Sequence, residues 1–487
     1  MRRPFSRQRR LDCKGIEDVE LNFECRHEIV PVLRGLQHVY SQPALRDEIL
    51  QLVAQDINHD RRDDCGRQGM DYWQIVVLGA VRLGCNLDYD ALQDLAEQHR
   101  TLRQVMGIGD WQEEPTFNWR RIRDNLCLIR SATVAAIDRL IVGEGHRLAP
   151  DAPQRVRADS FVIETNIHYP TDSTLIRDGL RKVLEVAVVQ ATAFDFPGWR
   201  QHQHLLDKVR KLARQIDRLA TRKGSNTREV LKKPYGQLLK VAGKILRKAR
   251  HLWVDLNDLR GDVSGVLESE QLRTWIELTE QVCDTARRRV LRGEAVPNND
   301  KLFSVFEPHT QLYKRGKAGE PVQFGRLVLV YEDAAGFVVQ HHLPGREQGD
   351  RDVVVEQTRI LQTRLNGKMK SLSLDRGFHS PENQEALSEI VRGVCLPKPG
   401  VKQAAAQEAT ATVEFRAARQ RHPGVESAIG ALQAGNGLVR CRDRTELGFQ
   451  RYFALAVLGR NLHTLGRLLI KQQAPRSLAA QSLRKAA

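Results

Sequence analysis

The segment VRADSFVIETNIHYPTDSTLI, residues 156–176, decides how the chain reads. It is rich in Val, Ile, Thr and Tyr and follows a long stretch of helical periodicity. It predicts a strand, a turn, a second strand and then a helix beginning near Asp172. Inside the first strand stands Asp159. A carboxylate in the middle of an otherwise apolar strand is costly to bury unless it has a partner or a metal.

More strands follow downstream. LFSVFEPH (302–309) reads as one, and FGRLVLVYEDAAGFVVQHHL (324–343) as an antiparallel hairpin turning at Asp333-Ala334-Ala335-Gly336. A helix is expected around 350–366, then the strand of MKSLSLDRGF (369–378), a helix over 380–391 with Ser380 as cap and Pro381 at its first position, and a short strand in RGVCLPK. An Ala-rich connector, 401–418, precedes a helix from about Pro423 and a last helix, RYFALAVLGRNLHTLGRLL.

Upstream and between the strands the pattern is helical. Ile29, Leu33, Leu36 and Val39 share one helix face, and Leu45, Ile49, Leu52 and Val53 another. Tyr72–Leu83 is apolar, Gly84-Cys85-Asn86 breaks it, and Asp88 has the position of a cap for the next helix. With FNWRRIRDNLCLI (117–129), these segments fit a helix-turn-helix or an ordinary helical bundle. From 200 to 253, Leu205, Val209, Leu212, Ile216 and Leu219, then Leu238, Ala242, Ile245, Ala249 and Leu252, repeat at coiled-coil steps either side of Gly224-Ser225-Asn226. Residues 201–251 carry 15 Lys and Arg against 3 Asp and Glu. Like charges at helical spacing repel, so this pair reads as an arm that contacts DNA or another subunit.

Three carboxylates have neighbours that fix their direction. Leu372 and Leu374 point one way while Ser371, Ser373 and Asp375 point the other, so Asp375 ends a strand on its polar face before a Gly turn. Strand ends in α/β sheets are where ligands sit. Glu426 lies in the first turn of HPGVESAIGAL (422–432), which packs through Val425, Ile429 and Leu432; Gly430 leaves room for a close approach one turn on. Singly, Asp375 reads equally as a turn cap, Asp159 as the partner of an Arg, and Glu426 as a helix N-terminal charge. Together, hard carboxylates without a His/Cys set favour Mg²⁺ or Mn²⁺ over zinc. Two such ions about 4 Å apart activate an attacking oxygen and stabilise a leaving one at a phosphodiester.

The 487 residues suggest two to four domains. A net charge of +16 makes a polyanion the expected partner. Apolar runs are too short to span a bilayer and MRRPFSRQRR is followed by no apolar segment, so a soluble, intracellular protein is expected. No two of the eight Cys have zinc-finger spacing and no P-loop pattern occurs.

Four blocks carry a family resemblance: RADSFVIETNIHYPTDSTLIRDGLR (157–181), LSLDRGFHSPEN (372–383), RHPGVESAIGALQAGNGLVRCRDR (421–444) continuing into 448–469, and residues 69–111. Their order and residues resemble the DDE transposases of bacterial insertion sequences, in particular the ISNCY-type group. The resemblance implies an α/β, ribonuclease-H-like core flanked by helices, with an N-terminal all-helical domain and a long helical insertion. It implies an acidic triad, Asp159, Asp375 and Glu426, as catalytic and metal-holding residues. Related transposases often carry Tyr, Arg, Glu and Lys around the last acid; here Arg419, His422 and Gln433 fall where the Tyr, Arg and Lys would stand. Arg421, His422, Arg440 and Arg442 are the expected DNA contacts.

The domains expected are a helical DNA-binding region at 1–150, a first part of the core at 151–185, the basic insertion at 186–300, the rest of the core at 301–470 and a polar tail at 471–487. The function implied is metal-dependent cleavage at the inverted-repeat ends of a mobile element and 3′-OH strand transfer. Double-stranded DNA is the partner, a dimer or larger assembly forms on it, and the location is the bacterial cytoplasm and nucleoid. The alternatives are a transposase-derived DNA-binding protein without catalysis, and a metal-dependent nuclease that cuts without joining. Near Asp159, Asp172 reads as a helix cap, Glu164 is an added carboxylate, and His168 either contacts DNA or packs beside Tyr169. His309, His341 and His342 read as structural.

Overall fold

A computed structural model describes residues 4–5, 12–58, 69–109, 111, 117–221, 227–258, 263–314, 322–400, 407 and 411–486. Most of the basic N-terminal decapeptide, Cys65, the 224–226 turn and most of 401–410 lie outside the described residues. The chain forms two compact units, Met1–Asn166 with Leu327–Ala487, and Ile167–Arg326.

The helices α1 (Ile29–Tyr40), α2 (Pro43–Asn58), α3 (Tyr72–Gly84), α4 (Tyr89–Gln98), α5 (Arg100–Val105), α6 (Trp119–Leu126) and α7 (Ser131–Leu148) precede strand β1 (Arg155–Glu164). Then come α8 (Asp172–Ala193), α9 (His202–Ala220), α10 (Thr227–Asp258) and α11 (Val263–Ala286), with β2 (Gln311–Lys314), β3 (Val322–Asp333) and β4 (Val338–His342) after them. The chain continues through α12 (Asp350–Arg364), β5 (Ser371–Leu374), α13 (Pro381–Ile390), β6 (Gly393–Cys395), α14 (Val413–Arg421), α15 (Gly424–Gly430) and α16 (Glu446–Ala486). Among the described residues no helix is long and apolar enough to cross a membrane.

Local signals set many of these boundaries. Asp88 caps α4 by accepting from the Ala91 N–H at 2.8 Å, and Ser380 caps α13 at Asn383. The second strand expected after β1 does not form. Pro170 cannot donate to a ladder, and Thr171, not Asp172, caps α8. The strand expected at 302–309 is also absent. The Ser304 hydroxyl accepts from the N–H groups of Phe306 and Glu307, and this local turn competes with a ladder. The end of the Ala-rich connector is helical, as α14, and α16 runs on through residues 471–486 where a separate tail was expected.

The protein is mixed α/β, with six strands in the order β2-β3-β1-β5-β6 and β4 paired to β3. β1 runs parallel to β5 and β5 to β6; β3 and β4 form the antiparallel hairpin. The helical N-terminal region does not have a core of its own. Its apolar residues, those of the sheet and those of α16 form one continuous cluster. Helix α3 is buried along its whole length and occupies the middle of this bundle.

Helix α16 packs against α1, α3 and α7. Its crossings are backbone-close. A Cβ on Gly459 would lie 2.5 Å from the Gly84 nitrogen, and one on Gly466 would lie 1.8 Å from the Pro31 carbonyl oxygen. Farther along, Asn461 bonds both the N–H and the carbonyl of Val338 on β4 and donates to Asp138 of α7 at 2.8 Å. At its start, Arg82 of α3 and Asp443 form a bidentate pair with almost no solvent exposure, 2.6 Å at the shorter contact. Burial opposes the Arg82 charge, but the bond to Asp443, the Asp443 charge and nearby Tyr89 and Tyr452 together outweigh it and hold the guanidinium above its ordinary pKa.

The second unit is a helical bundle with its own core. Leu238, Ala242, Ile245, Ala249 and Leu252 of α10 are buried, as their spacing predicts; on α9 Val209 and Ile216 are buried, but Leu205, Leu212 and Leu219 are only half-buried and Leu206 and Ala213 are buried in their place. The unit begins at Ile167 and ends at Arg326, so it is wider than the 186–300 segment that periodicity marks.

Two tests follow from the first unit. Gly459→Ala is expected to destabilise by about 1–3 kcal/mol through overpacking. Gly143→Ala in α7, where an added Cβ meets nothing within 4 Å, is expected to be neutral or stabilising in the same thermal melts. Burial raises the Asp138 carboxyl to about 7 although Asn461 bonds it. The folded state therefore holds that proton more tightly than the unfolded chain does. The contribution is complete below the unfolded pKa and is lost as pH rises through 7, by at most about 4 kcal/mol. Denaturant midpoints between pH 5 and 8 should fall more steeply for the wild type than for Asp138→Asn.

Candidate functional site

The parallel register of β1 and β5 runs Arg155↔Ser371, Val156↔Leu372, Arg157↔Ser373 and Ala158↔Leu374. One step further sets Asp159 beside Asp375. Alternation puts both on the sheet face that also carries Arg157 and Ser373. Around Arg157 and Ser373 that face is covered, while Asp375 at its end is exposed. The Arg157 guanidinium donates to the Arg421 carbonyl at 3.2 Å, and the Ser373 hydroxyl lies 3.2 Å from Nδ1 of His422. Helix α15, which carries Glu426, packs on β1.

His422 reports the charge of this face. Burial lowers its pKa; Asp375 and Glu426 pull it up, Arg157 and Arg419 push it down. Asp375 and Glu426 thus act on one imidazole. The loop after β5 is built around Asp375, whose Oδ1 accepts from the Arg376 N–H at 2.7 Å. Asp159 bonds the Ser160 N–H in the same way, at 2.7 Å.

Sequence reasoning missed the residues that hold this loop. Arg351 donates to the Gly377 carbonyl through Nε and Nη2, at 3.2 and 3.0 Å. The Asn383 amide donates to the carbonyls of Arg351 and Phe378, both at 3.0 Å. Beside Asp159, the Ser160 hydroxyl donates to Asp350 at 2.5 Å. Asp350 opens α12, and an acid starting a helix is the only local signal it gives. Arg157 is paired at 2.5 Å with Glu332, a buried carboxylate whose pKa burial raises and Arg157 lowers.

The other anticipated residues are dispersed. Arg421 is exposed on this face. Arg440 pairs with Glu164 at 2.9 Å, where residues 439–441 lie along the end of β1. Arg442 is taken up by the Tyr452 hydroxyl and by Asn86. Gln433 sits in a π-helical turn after α15. The close approach expected at Gly430 is at Gly424 instead, where a Cβ would meet Nη1 of Arg157; around Gly430 the space is open. His168 is 3.4 Å from Asp178, and Asp172 pairs with Arg289 at 3.0 Å. His341 packs against Phe453, and burial lowers it to about 4.

Among the described residues no three His, Cys, Asp or Glu side chains are grouped tightly enough to hold a metal ion as they stand. The donor chemistry nevertheless suits a hard cation: Asp375 and Glu426 make no ion pair among the described residues, and both supply carboxylate oxygens.

The second unit carries a separate feature. Lys208, Lys211, Arg214 and Arg218 on α9, and Lys240, Lys244 and Arg247 on α10, are exposed. Lys211, Arg214 and Arg218 line a shallow cavity of about 370 Å³. No protein-family model matches the chain, and neither curated proteins nor solved structures give a match.

Removing the loop clamp tests the local account. Asn383→Ala deletes two hydrogen bonds, at a net cost of about 1–3 kcal/mol. Faster hydrogen exchange confined to the amides of 376–379 is the expected result.

Proposed function

We propose that this protein is a DDE-type DNA transposase with a ribonuclease-H-like core. One observation carries the reading. Asp159 stands in β1, Asp375 directly follows the last residue of the parallel strand β5, one step beyond the Ala158↔Leu374 pair, and a glutamate comes from a helix packed on β1. The strand order β4-β3-β1-β5-β6, an antiparallel hairpin running on into parallel strands joined through helices, supports the core assignment. The departures at Arg419, His422 and Gln433 alter the phosphate contacts but leave the acids in position.

Asp159, Asp375 and Glu426 would hold the metal ions, Mg²⁺ or Mn²⁺. Bound there, two such ions supply activation of the attacking oxygen and stabilisation of the leaving one. The chain's own groups do the rest. The clamp from Arg351 and Asn383 holds the loop after Asp375, and the Arg376 N–H holds the Asp375 carboxylate. Neutral His422 and cationic Arg421 present hydrogen-bond donors to a phosphodiester beside the acids. Water attacks the phosphorus at the element end, and a 3′-OH leaves. That hydroxyl then attacks a phosphodiester of the target, whose 3′ oxygen leaves in turn. One phosphodiester is exchanged for another in the second step, so no nucleotide cofactor is required. Exposed cations of α9 and α10 suit the phosphate backbone of duplex DNA. Bringing two element ends together calls for a dimer or larger assembly on DNA.

The test uses labelled DNA carrying the inverted repeats that flank the gene, with Mg²⁺ or Mn²⁺. Wild type is expected to nick the end and to give joined products. Asp375→Asn and Asp159→Asn should each lose both activities, by at least about 10³-fold, while binding the end as wild type does. Nicking without joining would identify a nuclease instead. Cleavage that survives Asp159→Asn would refute this active site.

A further inference from the structure

Tyr169 follows β1 and is 74% exposed, among the most exposed large side chains described. It is nevertheless held in place. Its ring meets Phe324 edge to face at 5.5 Å and 88°, and Phe324 in turn packs on buried Phe303 at 5.5 Å. Pro170 restricts the backbone of Tyr169 to an extended conformation. The ring is therefore anchored through one contact, with most of its surface open to solvent.

The surroundings are cationic. The β2–β3 register pairs Leu312 with Phe324 and Lys314 with Val322, so Lys314 extends from the same sheet face as Phe324. Lys301 lies two residues before Phe303; burial lowers its pKa, Arg289 and Lys314 are near enough to add to that, and Asp172 opposes them. Arg289 meets Asp172 at the start of the helix that follows Tyr169. All of these residues belong to the second unit.

An aromatic ring that is fixed and exposed, with cations on the elements that anchor it, has the chemistry of a base-stacking platform. Every nucleobase has a π face, and the cations take up the phosphates on either side. Duplex DNA keeps its bases stacked on one another and offers none to such a ring. We infer that Tyr169, braced by Phe324 and flanked by Lys301 and Lys314, stacks an unpaired base of single-stranded DNA. The inference rests on the nucleic-acid function proposed above and adds a second binding mode to it. An end opened for cleavage exposes bases of this kind. The platform gives the protein a way to hold one that does not depend on the sequence around it.

Fluorescence anisotropy on the full chain tests it with three labelled probes: a thymidine oligonucleotide, an abasic strand of the same length, and a duplex. Wild type is expected to prefer the thymidine strand to the abasic one. Tyr169→Ala should weaken binding of the thymidine strand by roughly 5- to 100-fold. Its binding of the abasic strand and of the duplex should be unchanged. Tyr169→Trp and Tyr169→Phe should keep the preference, because they keep a π face. The side chain is exposed, and the unchanged duplex binding shows that each variant is folded. If Tyr169→Ala binds the thymidine strand as wild type does while duplex binding stands, the platform is refuted and the transposase reading is untouched. If wild type binds neither single strand nor duplex, the nucleic-acid reading fails and takes the platform with it.

Discussion

The first unit depends on one steric condition: backbone must touch backbone where α16 crosses α1 and α3. Gly35 and Gly466 permit one crossing, Gly84 and Gly459 the other. With those helices drawn in, α16 passes through the middle of the unit and reaches the sheet. There Asn461 satisfies both backbone groups of Val338 and ties β4 to Asp138 of α7. Buried polar groups are expensive unless fully bonded, and bonded ones fix a unique arrangement. The glycine crossings supply proximity; the Asn461 and Arg82–Asp443 contacts supply register. This explains why the N-terminal helices and the sheet share a single core.

That shared core bears on the candidate site, because β1 is held from both faces. On one face the Ser160 hydroxyl of β1 donates to Asp350 at the start of α12, and Tyr331 of the neighbouring β3 reaches Val354 and Thr358 of the same helix. On the other lie α14, α15 and His422. Asp159 sits in a strand that has little freedom to shift. Asp375 is different: it lies just past the end of β5, in a loop that Arg351 and Asn383 bond two and three residues farther on, at Gly377 and Phe378. Glu426 belongs to a seven-residue helix seated against β1 at Gly424. The three acids are thus graded from fixed to adjustable.

Much of this was legible in the sequence, and the failures have physical causes. Helices with strong periodicity, capped by Asp88 or Ser380, lie where their spacing puts them, and so does the hairpin across Asp333–Gly336. The alternation in Ser371–Asp375 correctly separated two faces of β5. It could not say that the face bearing Ser373 would be buried under His422, because polarity at the sequence level does not report what packs above it. The false strands at 165–171 and 302–309 have β-type composition, but Pro170 and the Ser304 turn override it. Long-range partners were the least visible. Nothing near Arg442 foretells that Asn86 will engage it, and Arg351 and Asn383 gain their meaning only from a loop folded against them.

The distribution of charge follows the same division between what is fixed and what is free. In the first unit the critical cations are spoken for: Arg82 by Asp443, Arg157 by Glu332, Arg440 by Glu164. Such pairs cost desolvation and return specificity more than stability. In the second unit Lys208, Lys211, Arg214 and Arg218 are exposed along one helix with few acids among them, an arrangement that self-repulsion disfavours in the free protein. A polyanion relieves that repulsion by releasing its own counterions as it binds. On the transposase function proposed above, the charge of the helical unit and the acids of the sheet are alike: each is a liability alone and would be an asset on DNA.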